Sequence, residues 1–332
     1  MWFFSTKTTI AASGILCGAT DHHSHILPEV DDGVDTFDEA LRILATYEEL
    51  GIKTLWLTPH IMEDCPNSPQ KLRARFEELK AAYNGSVELR LAAEYMIDNH
   101  LRKLLNKLRH SLEGRWHEQS VVTEGSKSTE PQGAKGSPSL LKGASDTVAE
   151  GQREVALLAT TEPLGLQRSA NKPIEEVNNS PSFEKREYPK GEGDRNPKQD
   201  SPHLLPIGTS GKHILVETSY YNAPIKMRDT LQQIKSLGYH PMLAHPERYM
   251  YLDNAEYTRL HSEGVRFQFN LASLAGGYGP VVKKKALWLL ANGLYSVAGS
   301  DLHCEDTIEF ITKCKLDMPE IELVKQLLTN RL

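Results

Sequence analysis

The sequence predicts an α/β chain in which parallel βα units close into a barrel, interrupted by one long low-complexity insert. Three observations carry this. Seven short apolar strand candidates mostly alternate with helical segments, the pattern of a parallel sheet buried on both faces. The candidates end in residues able to hold a metal, and a closed parallel barrel gathers its strand C-termini on one face. Between two groups of candidates, from about His110 to Pro202, the composition shifts to Ser, Gly, Pro, Glu, Lys and Asn, and periodicity is lost.

The elements follow in order. Gly14 to Thr20 is a poor strand by composition, but it leads into Asp21-His22-His23-Ser24-His25. Asp35 or Thr36 caps a helix with Ala40, Leu41, Leu44, Tyr47 and Leu50 at helical spacing, stopped by Gly51. Lys53 to Leu57 is a buried strand ending in Thr58-Pro59-His60. Pro69 opens the next helix, which turns Leu72, Phe76 and Leu79 inward. Val87 to Leu91 is a strand ending in Ala92-Ala93-Glu94, followed by a helix from about Asp98 to Leu108. Beyond the insert, His213 to Val216 is a strand ending in Glu217. Ile225, Leu231, Ile234 and Leu237 give a helix. His240 to Ala244 is a strand ending in His245. A short helix from Asn254 to Glu263 precedes the strand Val265 to Phe269, which ends in Asn270. Pro280 to Asn292 is a helix with Leu287, Leu290 and Ala291 inward. Tyr295 to Ser300 is a strand ending in Asp301-Leu302-His303, and a helix around Ile321 to Leu328 finishes the chain.

This divides the chain into 1–109, the first part of the barrel with an N-terminal leader; 110–202, the insert; and 203–332, the second part. The insert reads as disordered, with a lid as the alternative, and its apolar patch Val155 to Ala159 is able to fold on a partner. Hydrophobic content is 39%, low for a fully packed chain of 332 residues. The net charge of −6 argues against nucleic acid as a partner, since phosphate backbones demand clustered Lys and Arg. No apolar run reaches the roughly 18–20 residues of a membrane span, so stable membrane insertion is not expected. Four cysteines without a CxxC spacing suggest no disulfide framework, which makes the cytoplasm the expected compartment. The oligomeric state is not legible.

His23 and His25 stand two apart, so in an extended segment their imidazoles share a side. With Asp32, His60, Glu94, Glu217, His245, Asp301 and His303 they make five imidazoles and four carboxylates. So many ligands call for two or three divalent ions, and nitrogen and oxygen without thiolate suits Mn²⁺, Fe²⁺ or Zn²⁺. Metals roughly 3.5–4 Å apart share a bridging water, make it hydroxide near neutral pH, and hold the oxygens of a phosphate ester. Arg248 offers a planar donor fork for a phosphoryl oxygen, or a structural salt bridge. The chemistry indicated is metal-assisted phosphoester hydrolysis. A Cys-based phosphatase is excluded, because no cysteine has Arg six residues on. Asp31-Asp32-Gly33 can also be read as a turn, with Asp31 the residue left without a ligand role. His22 faces away from the pair. His240 starts its strand at the wrong end, Asn270 is a supporting donor or cap, and Lys283 to Lys285 line a solvated helix side.

Asp21 to Pro28 with Val30 to Gly33 resembles the opening of the polymerase-and-histidinol-phosphatase (PHP) superfamily. Within it, the likeness is to the CpsB/CapC/YwqE-type tyrosine-protein phosphatases of bacterial capsular polysaccharide synthesis. Thr58-Pro59-His60, Ala93-Glu94, Leu215 to Glu217, Ala244 to Tyr249 and Gly299 to His303 match in the same order. The likeness covers about 14–108 and 203–312 and none of the insert, which departs from the family. It implies a distorted (β/α)7 TIM-like barrel, the PHP fold, with three divalent ions, usually Mn²⁺. His23, His25, Glu94 and Asp301 would hold the first. Glu94 would bridge to the second, with Glu217 and His245. Asp32, His60 and His303 would hold the third. Arg248 and His303 would be the catalytic side chains. The implied activity is protein-tyrosine phosphatase, acting on a phosphotyrosine protein, a bacterial tyrosine autokinase that regulates capsular or exopolysaccharide synthesis. Two other readings stay open: a phosphoesterase for a small metabolite such as histidinol phosphate, and a non-catalytic metal-binding interaction protein.

Overall fold

Helices begin where the sequence supplies caps. The Thr36 hydroxyl accepts the Glu39 amide, Ser68 accepts Lys71 ahead of Pro69, and Asp317 forms a capping box with Glu320. The computed structural model describes residues 7–124 and 204–332, the side chains of 114–124 excepted. The expected leader at Met1 to Phe4 and the expected insert beyond residue 124 lie outside these residues. The chain groups into two units, 1–121 with 193–332, and 122–192. The elements below belong to the first, save residues 122–124.

In chain order they are β1 (Thr8–Thr9), α1 (Ile10–Ser13), β2 (Thr20–Asp21), α2 (Phe37–Glu49), β3 (Thr54–Leu57), β4 (His60–Ile61), α3 (Pro69–Ala82), β5 (Glu88–Leu91), β6 (Glu94–Met96) and α4 (Asn99–Glu124). The second half has β7 (His213–Glu217), α5 (Met227–Ser236), β8 (His240–Ala244), a 3₁₀ turn (Pro246–Arg248), α6 (Asn254–Ser262), β9 (Arg266–Asn270), α7 (Leu271–Ala275), α8 (Gly279–Ala291), β10 (Val297–Gly299), α9 (Glu305–Thr312), β11 (Lys315–Leu316) and α10 (Met318–Thr329).

The result is an α/β fold on a curled parallel sheet. Six strands pair in the order β10-β9-β8-β7-β6-β4, and three in the order β2-β3-β5, all parallel. β3 runs into β4 through Thr58-Pro59, and β5 into β6 through Ala92-Ala93. Across the other edge, the Asp301 amide donates to the His23 carbonyl at 2.8 Å and the His25 amide to the Leu302 carbonyl at 2.8 Å. Among the described residues no helix is long and apolar enough to cross a membrane.

Strand alternation sorts the side chains. Leu55, Leu57, Ile214, Val216, Leu243 and Ala298 join the large core under the helices. Their neighbours Trp56, Leu215, Met242, Ala244 and Val297 form a small apolar cluster on the concave face. Glu217 shares the parity of Leu215, and Asp301 that of Val297. The polar residues at the strand ends therefore continue the concave face upward.

Several expectations need correction. Residues 14–18 form a turn after α1, and only Thr20–Asp21 is strand. Residues from Thr8 onward are packed, since β1 pairs with β11 and Ile10 is buried. Helix α4 runs to Glu124 instead of ending near Leu108, because no proline interrupts it and its residues are mostly helix formers. Ile225 lies before α5 and is fully exposed, because helical geometry starts only at Met227. The inward face of α8 is Val282, Ala286, Leu289 and Leu290, with Ala291 exposed. The short helices α7 and α9 carry too little periodicity to be read from sequence.

Gly299 lies where β10 passes under His23. A Cβ there would stand 2.5 Å from His23 Cβ. Gly299→Ala is expected to lower stability by about 1–3 kcal/mol, seen as a lower urea midpoint at unchanged m-value.

Candidate metal centre

His23 and His25 leave β2 on the concave side, as their spacing requires, and both are fully buried. Each ring is oriented by its Nδ1. His23 Nδ1 lies 2.9 Å from Gln268 Oε1, and His25 Nδ1 lies 2.8 Å from Asp31 Oδ2. The Gln268 amide orientation follows from its surroundings: its oxygen accepts the His245 amide and its nitrogen donates to the Phe269 carbonyl. Both Nδ1 atoms therefore carry hydrogens, and both Nε2 atoms present lone pairs. Those Nε2 atoms are 3.0 Å apart. Two lone pairs at that distance require a proton or a shared cation between them.

Glu94 closes the same space from β6. Its two carboxylate oxygens are buried and accept no hydrogen bond. Four imidazoles face them: His23 Nε2 at 3.3 Å, His25 Nε2 at 3.4 Å and His60 Nδ1 at 3.2 Å from Oε2, and His245 Nε2 at 3.2 Å from Oε1. Glu217, at the end of β7, reaches His60 Nδ1 at 3.1 Å. Asp301 Oδ1 lies 3.4 Å from His23 and 3.6 Å from His25. Asp32 Oδ1, likewise without a hydrogen-bond donor, lies 3.4 Å from His60 Nε2 and 3.6 Å from His303 Nε2. Among the described residues, four sets of ligand atoms lie within 4.8 Å of one another: His25, Asp32, His60 and His303; His23, His25 and Asp301; His23, Glu94 and His245; His60, Glu94 and Glu217. All nine residues expected as ligands are thus gathered in one place. The donor set, nitrogen and carboxylate oxygen with orphaned buried atoms, fits divalent cations.

The electrostatics describe what the cluster does without them. Burial would raise Glu94, but the facing imidazoles, His23 first, hold it well below the usual carboxylate range. Burial also opposes ionisation of Asp301, and His23, His245, His303 and Arg248 hold it low. Burial would lower His25, yet Asp31 and Glu94 raise it well above the ordinary imidazole. His60 is raised to about 9, against burial and the His25 charge, by Glu217 and Glu94. Protons thus occupy the space that cations suit.

Two of the strand-end residues adopt left-handed backbone, His245 at φ 33° and Asp301 at φ 54°. This costs roughly 1–2 kcal/mol at a non-glycine residue and accompanies the approach of both side chains to the cluster, His245 to Glu94 and Asp301 to His23. The set opens on one side. The side chains of Asp32 and His303 are each 31% exposed and that of Arg248 17%, against 0% for Glu94. Arg248 Nη1 donates to Asp301 Oδ2 at 2.9 Å, and its guanidinium lies 4.1 Å from the Tyr220 ring and 4.0 Å from the Tyr278 ring. Asn270 serves in both expected ways, capping α7 and donating to Asp301 Oδ2 at 2.8 Å. His22 faces away as expected, its Nδ1 against the Ala298 carbonyl.

Four contributors escaped the sequence reading. Asp31 orients His25 and also accepts the His60 amide. Gln268 orients His23. A buried glutamine between Phe267 and Phe269 was the available signal. Glu247, fully buried, accepts the Asn270 amide at 3.1 Å and the Tyr295 hydroxyl at 2.9 Å. Lys285 is not merely solvated: it donates to the carbonyls of Tyr249 at 2.7 Å and Leu252 at 2.9 Å, fastening the loop that carries Arg248.

A family model described as capsular polysaccharide synthesis, CpsB/CapC, matches residues 19–127 and 200–315. CapC of Staphylococcus aureus, provisionally named a tyrosine-protein phosphatase, is 21% identical over 296 residues, 88% of this chain and 80% of that protein. The tyrosine-protein phosphatase YwqE of Bacillus subtilis is 30% identical over 118 residues, 35% of this chain and 46% of that protein. A crystal structure from the set of YwqE from Bacillus subtilis and CpsB from Streptococcus pneumoniae, described as unique metal-dependent tyrosine phosphatases, superposes with a TM-score of 0.54. It shares 18% identity, over 87% of this chain and 81% of that one, a likeness of fold.

Uptake of divalent cations is expected to expel the protons held on His25 and His60. Calorimetric enthalpies of Mn²⁺ binding measured at pH 7.5 in two buffers should differ in proportion to buffer ionisation enthalpy. Asp31→Asn is expected to weaken Mn²⁺ binding about 10–100-fold in the same titration.

Proposed function

The chain belongs to the CpsB/CapC family of capsular polysaccharide synthesis, and from that premise we infer that it is a metal-dependent protein-tyrosine phosphatase. The observation that carries the metal requirement is the convergence of the His23 and His25 lone pairs on the orphaned Glu94 carboxylate. The named activities of the relatives carry the phosphotyrosine specificity.

In this reading the two parallel sheets are one distorted (β/α)7 barrel. Its seam is the pairing of the 20–25 segment with 298–302, and the insert, expected from residue 110, is confined to the stretch between the two family-matched parts, 19–127 and 200–315. Three divalent ions, with Mn²⁺ the preferred metal, would be held as the family motif assigns them. His23, His25, Glu94 and Asp301 would hold the first, Glu94, Glu217 and His245 the second, and Asp32, His60 and His303 the third. Bound there, such ions would supply Lewis acidity and make water more acidic.

The chain's own groups do the rest. Asp31 and Gln268 fix the tautomers that leave both Nε2 atoms free to ligate. Arg248 keeps one amino group on Asp301 and turns its remaining donors to a phosphoryl oxygen, as a charge-assisted fork. The rings of Tyr220 and Tyr278 hold that guanidinium in place. Phenolate, with a pKa of about 10, needs little proton assistance, and His303 acts at the mouth as a ligand: its Nδ1 donates to the Asp301 carbonyl at 2.9 Å, which leaves Nε2, facing Asp32, to ligate. The substrate is a phosphotyrosine protein, a bacterial tyrosine autokinase controlling polysaccharide synthesis, met in the cytoplasm.

The test is hydrolysis of a phosphotyrosine peptide against histidinol phosphate, with and without Mn²⁺, on the full chain and on an insert-deleted variant. The expected result is Mn²⁺-stimulated cleavage of the peptide, abolished by chelator. Inactivity with Mn²⁺, Fe²⁺, Co²⁺ and Zn²⁺, or preference for histidinol phosphate, overturns it. Arg248→Met is expected to lower kcat/KM by about 10²–10³ while bound metal, measured by elemental analysis, is unchanged.

A further inference from the structure

Among the described residues eight large apolar side chains are exposed, and they are unevenly placed. Tyr221 at 76% and Ile225 at 102% lie between β7 and α5, Met250 at 46% between β8 and α6, and Tyr278 at 36% before α8. The first three follow the strands that deliver Glu217 and His245 to the metal cluster, and Tyr278 follows Asn270, which donates to Asp301. Folding makes no use of Ile225, and leaving an isoleucine wholly in water forgoes the gain its burial would give.

These residues form one sector. The Met250 amide donates to the Tyr220 carbonyl at 2.8 Å, so the loops after β7 and β8 run side by side. The Tyr220 and Tyr278 rings close on Arg248 from two sides, which joins the third loop to the first two. The sector adjoins the Arg248 guanidinium through the Tyr220 and Tyr278 rings. A small phosphate ester offers nothing beyond its phosphoryl group and one ring with which to engage Tyr221 or Ile225. A polypeptide carrying the phosphate on one of its own side chains would lay its neighbouring residues across them. The cation receives the phosphoryl dianion, and the apolar rim faces what lies beside it.

We propose that Tyr221, Ile225 and Met250 form a docking surface for an apolar side chain flanking the phosphotyrosine of a polypeptide substrate. This rests on the phosphatase reading above and specifies what that site selects.

The experiment compares p-nitrophenyl phosphate with two phosphotyrosine peptides that differ only in carrying Leu or Ser on either side of the phosphotyrosine. It uses the full chain with Mn²⁺. The Leu-flanked peptide is expected to show a KM about tenfold lower than the Ser-flanked one. In Tyr221→Ser/Ile225→Ser that gap closes, while KM for p-nitrophenyl phosphate moves less than twofold. Met250→Ser alone narrows the gap about threefold. Met318→Ser, an exposed apolar residue outside the sector, keeps the full gap. Equal KM for both peptides in the unsubstituted protein, or variants that slow all substrates alike, overturns the docking surface and leaves the phosphatase reading standing. Absence of activity on every aryl phosphate overturns both.

Discussion

Everything at the concave face depends on one electrostatic demand: two imidazole lone pairs and an unpartnered carboxylate converge where water does not reach. His23, His25 and Glu94 are buried, and their free atoms point at one another. Such an arrangement is costly unless positive charge occupies it. The fold maintains it by fixing the atoms that are not free. Gln268 and Asp31 hold the outer nitrogens of the two rings. Asp21 accepts the amides of His23 and Ser300 and the Tyr47 hydroxyl, locking β2 against β10. Left-handed backbone at His245 and Asp301 aims two more side chains inward.

The outer and inner faces of the sheet divide the work. The helices pack on the outward parity and bury most of the apolar surface. The concave face keeps only a small apolar cluster around Trp56, Leu215 and Met242 below the charged layer. Stability is therefore concentrated away from the chemistry, and the charged layer can be assembled from strand ends without weakening the main core.

The sequence made the parts of this visible that follow from periodicity. Strand after strand ends in a histidine or carboxylate, and alternation predicts that His23 and His25 share a side. The sequence marks Asp32 as a ligand and Asp31 as its neighbour without a ligand role; what was not available is the partner of Asp31, because nothing in the sequence says which side chain its side faces. Asp31 proves to be the orienting group for His25. Gln268 sits at a parity that could have been read; Lys285 could not, because its partners are carbonyls on a distant loop. Grouping Ile225 with Leu231 and Ile234 fails, because steps of six and nine residues do not return to one helix face, and the backbone enters the helix only at Met227. Spacing reports where a residue would lie in a helix, not where the helix starts.

The breaks in the two interrupted strands show a further constraint. β3 pairs with β5 and β4 with β6 at one unchanged offset, Leu57 opposite Leu91 and His60 opposite Glu94. The interruptions at Thr58-Pro59 and Ala92-Ala93 are therefore matched steps at the same height. A residue gained or lost in one step would turn its ligand to the helix side, and only an equal change in the neighbouring step would keep the pair opposite. The connecting helix and loops carry no such restriction. In the evolutionary record of this fold, length should drift freely between the strands, while insertions and deletions at the two steps should be absent or occur as paired events.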